Sequence, residues 1–239
     1  MNTSSHTPPQ PPRGPDVLGE LLHSLSQPLT GLRCSLELSL QLPLDCSIEQ
    51  VAEQQQANVS VALQQTEKVI GMIQLMREYL DAEQPAPDAF SSALAPATRS
   101  VVEELSSIAA VRGVRLRLVG TCLATVPAPE SRLRLALQYL ITTLIEAQPV
   151  GGKVMLLLGE GPAGAVLRAE GERGFRDQEQ RATISSRSVS TLRRVRLAIA
   201  IRVLETAGAS LVLGDGDQAA VERSGFVLRI PRRFAAPAR

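Results

Sequence analysis

His23 stands in the run 21–33, Leu-Leu-His-Ser-Leu-Ser-Gln-Pro-Leu-Thr-Gly-Leu-Arg, on an otherwise apolar-periodic helix one turn ahead of Pro28. An imidazole with a pKa near about 6.5 is largely neutral at neutral pH, so one ring nitrogen keeps a lone pair able to attack an electrophile such as phosphorus. Gln27 and Thr30 follow at one and two helical turns, on the face that carries the histidine. Their amide and hydroxyl suit the shaping of an exposed surface around that ring. Ser24, next to His23, cannot accept a proton as a carboxylate general base would.

Other chemistry-bearing residues form weaker groupings. Glu170 and Glu172 are two carboxylates two positions apart, but nothing near them completes an acid–base site, and they are expected as turn residues. Arg187, Arg193, Arg194, Arg196 and Arg202 cluster without interleaved aromatics, which points to a solvated face rather than a nucleic-acid patch. Gly151-Gly152 and the stretch 214–217 (Gly-Asp-Gly-Asp) are expected as hairpin turns rather than phosphate loops. Cys34, Cys46 and Cys122 are odd in number and lack the paired spacing of a zinc or redox site, so no metal is expected.

The totals narrow the setting for these residues. With 239 residues and 44% hydrophobic side chains the chain can bury a substantial core. Twenty-five basic residues against twenty-four acidic leave a formal charge of +1, so no global field draws the chain to nucleic acid or membrane. The isolated cysteines suit a reducing compartment, and no apolar run approaches the roughly 18 residues of a membrane span. A cytoplasmic protein is expected.

The elements that must hold His23 follow from periodicity. Residues 1–15, rich in Pro, Ser and Thr and including His6, are expected as a disordered tail. From Asp16, a candidate cap, Leu18, Leu22, Leu25, Leu29, Leu32, Leu36 and Leu40 form one apolar stripe on a helix that Pro28 is expected to kink and Pro43 to end. Ser47 and Gln50 make a capping-box start for a second helix, whose Ile48, Ala52, Gln55, Val59, Ala62, Thr66, Val69, Ile73, Met76 and Leu80 alternate steps of four and three as a heptad seam. Residues 16–82 thus form an antiparallel helical hairpin whose apolar face needs a partner. A homodimer completing a four-helix bundle provides one.

Residues 83–96, with three prolines, are expected as a linker. A second domain then spans 97–232, followed by a tail at 233–239. Its expected elements are helices at 97–111, 129–147 and 190–207, with strands at 114–119, 153–158, 165–169, 210–213 and 225–230. The fold class is α+β: the hairpin followed by a two-layer α/β sandwich.

The run around His23 resembles the phosphoacceptor motif of two-component histidine kinases, where a histidine is followed five residues later by Pro-Leu. The second domain resembles the ATP-binding domain of the same family: the helix 133–147 with Gly151-Gly152-Lys153-Val154 looks like its asparagine box, and residues 197–211 and 225–231 look like its last helix and closing hairpin. The departures cluster in the nucleotide chemistry. The family's two box asparagines fall at Tyr139 and Thr143. Its adenine-reading aspartate falls at Glu170, in a box that ends at Gly174, and its phosphate-wrapping glycine segment falls at 192–197, placing Arg194 and Arg196 where backbone should approach phosphate.

The resemblance therefore implies a phosphorelay protein close to histidine phosphotransferases, with His23 as phosphoacceptor, Gln27 and Thr30 supporting it, and a degenerate ATPase-like domain that holds no cofactor. It implies response-regulator receiver domains as partners, the receiver bringing its own Mg²⁺, and a second copy of the chain, with no nucleic acid and no membrane. The alternatives are an ATP-dependent histidine kinase with atypical boxes, which alone requires ATP and Mg²⁺, and a non-catalytic module that binds response regulators.

Overall fold

The computed structural model describes residues 17–41, 48–84, 90–172, 187–213 and 224–231. The expected tail at 1–15 with His6, the caps at Asp16, Pro43 and Ser47, Cys46, Gly174, the turn at 214–217 and residues 233–239 lie outside them. The chain divides into two compact units, residues 1–70 and 71–239.

The first unit holds α1 (Val17–Leu40) and most of α2 (Ile48–Glu83), which continues into the second unit. Leucine dominates α1 and glutamine, glutamate and alanine dominate α2, all good helix formers, and α1 runs through Pro28 as one helix. The two helices meet where a Cβ added to Gly31 would lie 3.4 Å from the Gln65 side chain.

The apolar stripes read from the sequence are only half right. On α1 the covered row is Leu21, Pro28 and Ser35, while Leu22, Leu29, Leu36 and Leu40 of the expected stripe are exposed, Leu22 by 60%. On α2 the covered row is Asn58, Ala62 and the half-buried Gln65, while Ala52, Gln55 and Val59 of the expected seam are exposed, together with Leu63 and Ile70. In each helix the covered and the exposed rows lie about 100° apart, and the expected stripe runs between them. Apolar periodicity marks the midline of a broad face, of which one row is covered and the other is exposed.

The second unit is a two-layer sandwich. After α2 come β1 (Ser92–Ala93), α3 (Leu94–Val111), β2 (Arg115–Gly120), β3 (Thr125–Val126), α4 (Glu130–Ala147), β4 (Lys153–Gly161), β5 (Gly164–Gly171), α5 (Arg187–Thr206), β6 (Ser210–Leu213) and β7 (Ser224–Pro231). The main sheet has five strands in the order β2-β4-β5-β7-β6, and β1 pairs with β3 in a separate two-stranded ribbon. Only β2 and β4 run parallel; the other neighbours in the main sheet are antiparallel.

One sheet face supplies the core. Val154, Leu156 and Leu158 of β4, Ala165, Leu167 and Ala169 of β5, and Phe226, Leu228 and Ile230 of β7 alternate inward. They are buried, as are Val101 and Leu105 of α3, Leu137, Leu140 and Leu144 of α4, and Ile199 and Val203 of α5. Helix α3 ends in a left-handed glycine: Gly113, at φ 68°, lets Val114 N–H donate back to Ala109 O at 2.8 Å.

Three expectations need correction here. The linker at 83–96 begins and ends in structure: Glu83 still belongs to α2, Ser92 pairs with Val126 and donates its hydroxyl to Ala128 O at 2.7 Å, and Leu94 and Ala95 are buried in α3. Gly151-Gly152 lies between α4 and β4, not in a hairpin; the tight β4–β5 turn is at Gly161 and Gly164. Glu170 is a strand residue opposite Met155 and Gly225, not a turn residue.

Candidate functional site

Helix α1 presents His23 in the first unit. Proline has no amide hydrogen, so Pro28 removes the helical bond that Ser24 O would accept. Beyond it, side-chain hydroxyls add bonds to the helix: Thr30 donates to Ser26 O at 2.8 Å, Ser35 to Gly31 O at 2.9 Å and Ser39 to Ser35 O at 2.9 Å. His23, Gln27 and Thr30 are all exposed. They occupy an arc of about 60° on the helix, roughly a third of a turn from the exposed leucine row. The structure thus brings the three residues onto one open face. Thr30 commits its O–H to the backbone and turns acceptor lone pairs outward.

The positions aligned with nucleotide chemistry lie in the second unit, and Tyr139, Thr143, Glu170 and Arg196 are each engaged by their own chain. Thr143 is 1% exposed, and its hydroxyl donates to Tyr139 O at 2.7 Å. Tyr139 in turn donates its phenol to the Glu78 carboxylate on α2. The Arg196 guanidinium carbon lies 5.8 Å from the centroid of the Tyr139 ring, within cation–π range. Arg196 Nη1 is 3.8 Å from Glu146 Oε1, and Arg112 Nη2 lies 3.9 Å from the same oxygen. Glu170 on β5 accepts from Arg168 Nε at 2.9 Å. Gln148 donates to Leu144 O at 2.9 Å and accepts from Glu172 N–H at 2.8 Å. It lies so close to Gly171 that a Cβ there would sit 2.5 Å from its amide nitrogen.

These residues do not fit a magnesium nucleotide. Mg²⁺ needs accessible oxygen ligands in near-octahedral geometry, and the one hydroxyl at the aligned position is buried with its proton given to backbone. The stretch 192–197 lies within regular helix α5, with Arg194 exposed and Arg196 turned onto Tyr139, so it forms no backbone cradle. Among the described residues no group of three or more His, Cys, Asp or Glu could hold a metal ion, and no helix is long and apolar enough to cross a membrane.

Arg193 and Arg196, both half-buried, depart from the expected solvated arginine face, while Arg194 and Arg202 are exposed. Sequence reasoning also missed Glu78, Arg112, Gln148 and Arg168, none of which belongs to a local motif, and gave no role to Glu146 within the helix 133–147. Burial, followed by the bond to Glu78, raises the Tyr139 phenol above the ordinary value of 10.0. The unfolded chain releases that proton near pH 10 while the folded chain keeps it, so stability declines as pH rises through about 10. Tyr139→Phe is expected to flatten this decline in urea unfolding compared at about pH 8 and about pH 11.

No family model matches the sequence, and no curated protein matches it. Solved structures do. The Acinetobacter baumannii histidine kinase AdeS is 16% identical with a TM-score of 0.59, the match covering 87% of this chain and 97% of that one. Full-length ShkA, solved in complex with AMPPNP, is 16% identical with a TM-score of 0.55, covering 92% of this chain and 47% of that one. The likeness is one of fold: N-terminal helices followed by a mixed sheet with helices, arranged as in histidine kinases.

Proposed function

We propose that the chain is a two-component phosphorelay protein that carries a phosphoryl group on His23 and exchanges it with receiver-domain aspartates. The observation that carries this reading is the contrast between the two sites. His23 stands open with Gln27 and Thr30 beside it, while the polar groups at the nucleotide positions are taken up by their own chain. The histidine kinase fold supports a place in two-component signalling, and the engaged positions favour transfer from a protein donor over transfer from ATP.

In the forward step a ring nitrogen of neutral His23 attacks the phosphorus of a receiver's aspartyl phosphate. A nitrogen–phosphorus bond forms, the bond from phosphorus to the aspartate oxygen breaks, and the carboxylate leaves with the electron pair. The proton on the second ring nitrogen passes to solvent. Reversal delivers the group to another receiver. Such exchange depends mainly on positioning, which an imidazole on a rigid helix provides.

The same reading includes a homodimer. Each helix of the first unit has a second, exposed apolar row about 100° from the one already covered. Two contact rows at roughly a right angle are what a helix in a four-membered bundle requires. Parallel labelling from Mg-ATP and from phosphorylated receiver tests the function: label is expected on the chain from the receiver alone. Label from Mg-ATP would make it a kinase, and label from neither source would leave only a binding module.

A further inference from the structure

Two residues on one face of α4 hold the end of α2. Tyr139 donates its phenol to the Glu78 carboxylate, and Arg132 Nη1, seven residues earlier, donates to the Gln84 carbonyl at 2.9 Å. Gln84 directly follows α2, where helix carbonyls lack intrahelical donors and the helix dipole is negative, so a guanidinium suits the place twice over. Seven residues of helix separate the two donors by about 10 Å. One bond would leave a pivot, whereas two at that separation fix both position and direction. The tyrosine ring also meets Arg196 of α5, which approaches Glu146, the carboxylate that Arg112, just after α3, approaches too.

The proline-containing segment after α2 reads as a flexible linker between domains. Both anchors, Glu78 on α2 and Gln84 just after it, precede Pro85, and both donors follow the segment. We propose that this two-point clamp fixes the end of α2 on the α/β unit, so that residues 71–84 move with that unit as one rigid body. The inference is independent of whether His23 carries phosphate.

Distance measurement between nitroxides tests it, with exposed Gln74→Cys on α2 and exposed Glu103→Cys on α3. The native cysteines are replaced by serine, and the labelled full-length chain is diluted with unlabelled chain. A single narrow distance distribution is expected, broadening when Arg132→Ala and Tyr139→Phe are combined. A broad distribution in the parent, or an unchanged one in the variant, overturns the proposal. Should the double variant fail to fold, Tyr139→Phe alone preserves the ring. Its amides at 78–84 are expected to exchange hydrogen at least about tenfold faster, and unchanged exchange overturns the proposal.

Discussion

Replacing His23 with alanine is expected to abolish labelling of the chain by phosphorylated receiver, a loss of more than roughly a hundredfold, because it removes the imidazole from the open arc of α1, where among the described residues hydroxyls and the thiol of Cys34 remain as nucleophiles. The two products differ chemically. Phosphohistidine is lost in acid, so acid lability of the wild-type label assigns it to an imidazole. The side chain is exposed, so His23→Ala should leave unfolding free energy within about 0.5 kcal/mol of the parent. Loss of label with unchanged stability and retained receiver binding separates transfer from passive docking. Undiminished label on the alanine variant would remove His23 from the mechanism.

The largest expected effect on stability is that of Phe226→Ala. Phe226 is 1% exposed and heads the largest fully buried side chains. On β7 it lies opposite Ala169 of β5 on one side and Leu213 of β6 on the other. Strands bonded on both sides cannot close in on a vacated ring, so most of the cavity persists, and the cost is expected at about 3–5 kcal/mol. For a unit of this size that lowers the melting temperature by on the order of 10 °C. Urea unfolding followed by circular dichroism checks it, and a loss below about 1 kcal/mol would mean that β7 is not an interior strand.

What the sequence made legible depends on how local the cause is. The position of His23 on an open face follows from the helical repeat alone, and the same repeat places Gln27 and Thr30 beside it. Strand β6 matches its expected span at Ser210–Leu213 because its flanks break the pattern sharply. Helix α3 begins earlier than expected because Pro96, taken as the end of a linker, falls in its first turn, where the missing N–H has no helical acceptor to lose. The apolar stripes of α1 and α2 were visible, but their division into two rows was not, since periodicity records how wide an apolar face is and not how many neighbours share it.

The engaged nucleotide positions show the opposite case. Substitutions at Tyr139, Thr143, Glu170 and Arg196 could be seen from the family pattern, and the structure adds what each one holds. Tyr139 reaches Glu78 across 61 positions of sequence, and no periodicity or local motif joins residues so far apart. Arg168 and Glu170 sit two residues apart, yet their pairing depends on both lying on the same face of β5.

These engagements make the positions depend on one another. An asparagine at position 139 would remove the phenol's bond to Glu78 and the ring beside Arg196, leaving Glu78 with the Gln74 amide. Shortening residue 170 would pull it from Arg168. Each such change alone forfeits an existing contact. Tyr139 and Arg196 share one network, so substitutions at the two are expected to be non-additive, the cost of the second depending on whether the first has been made.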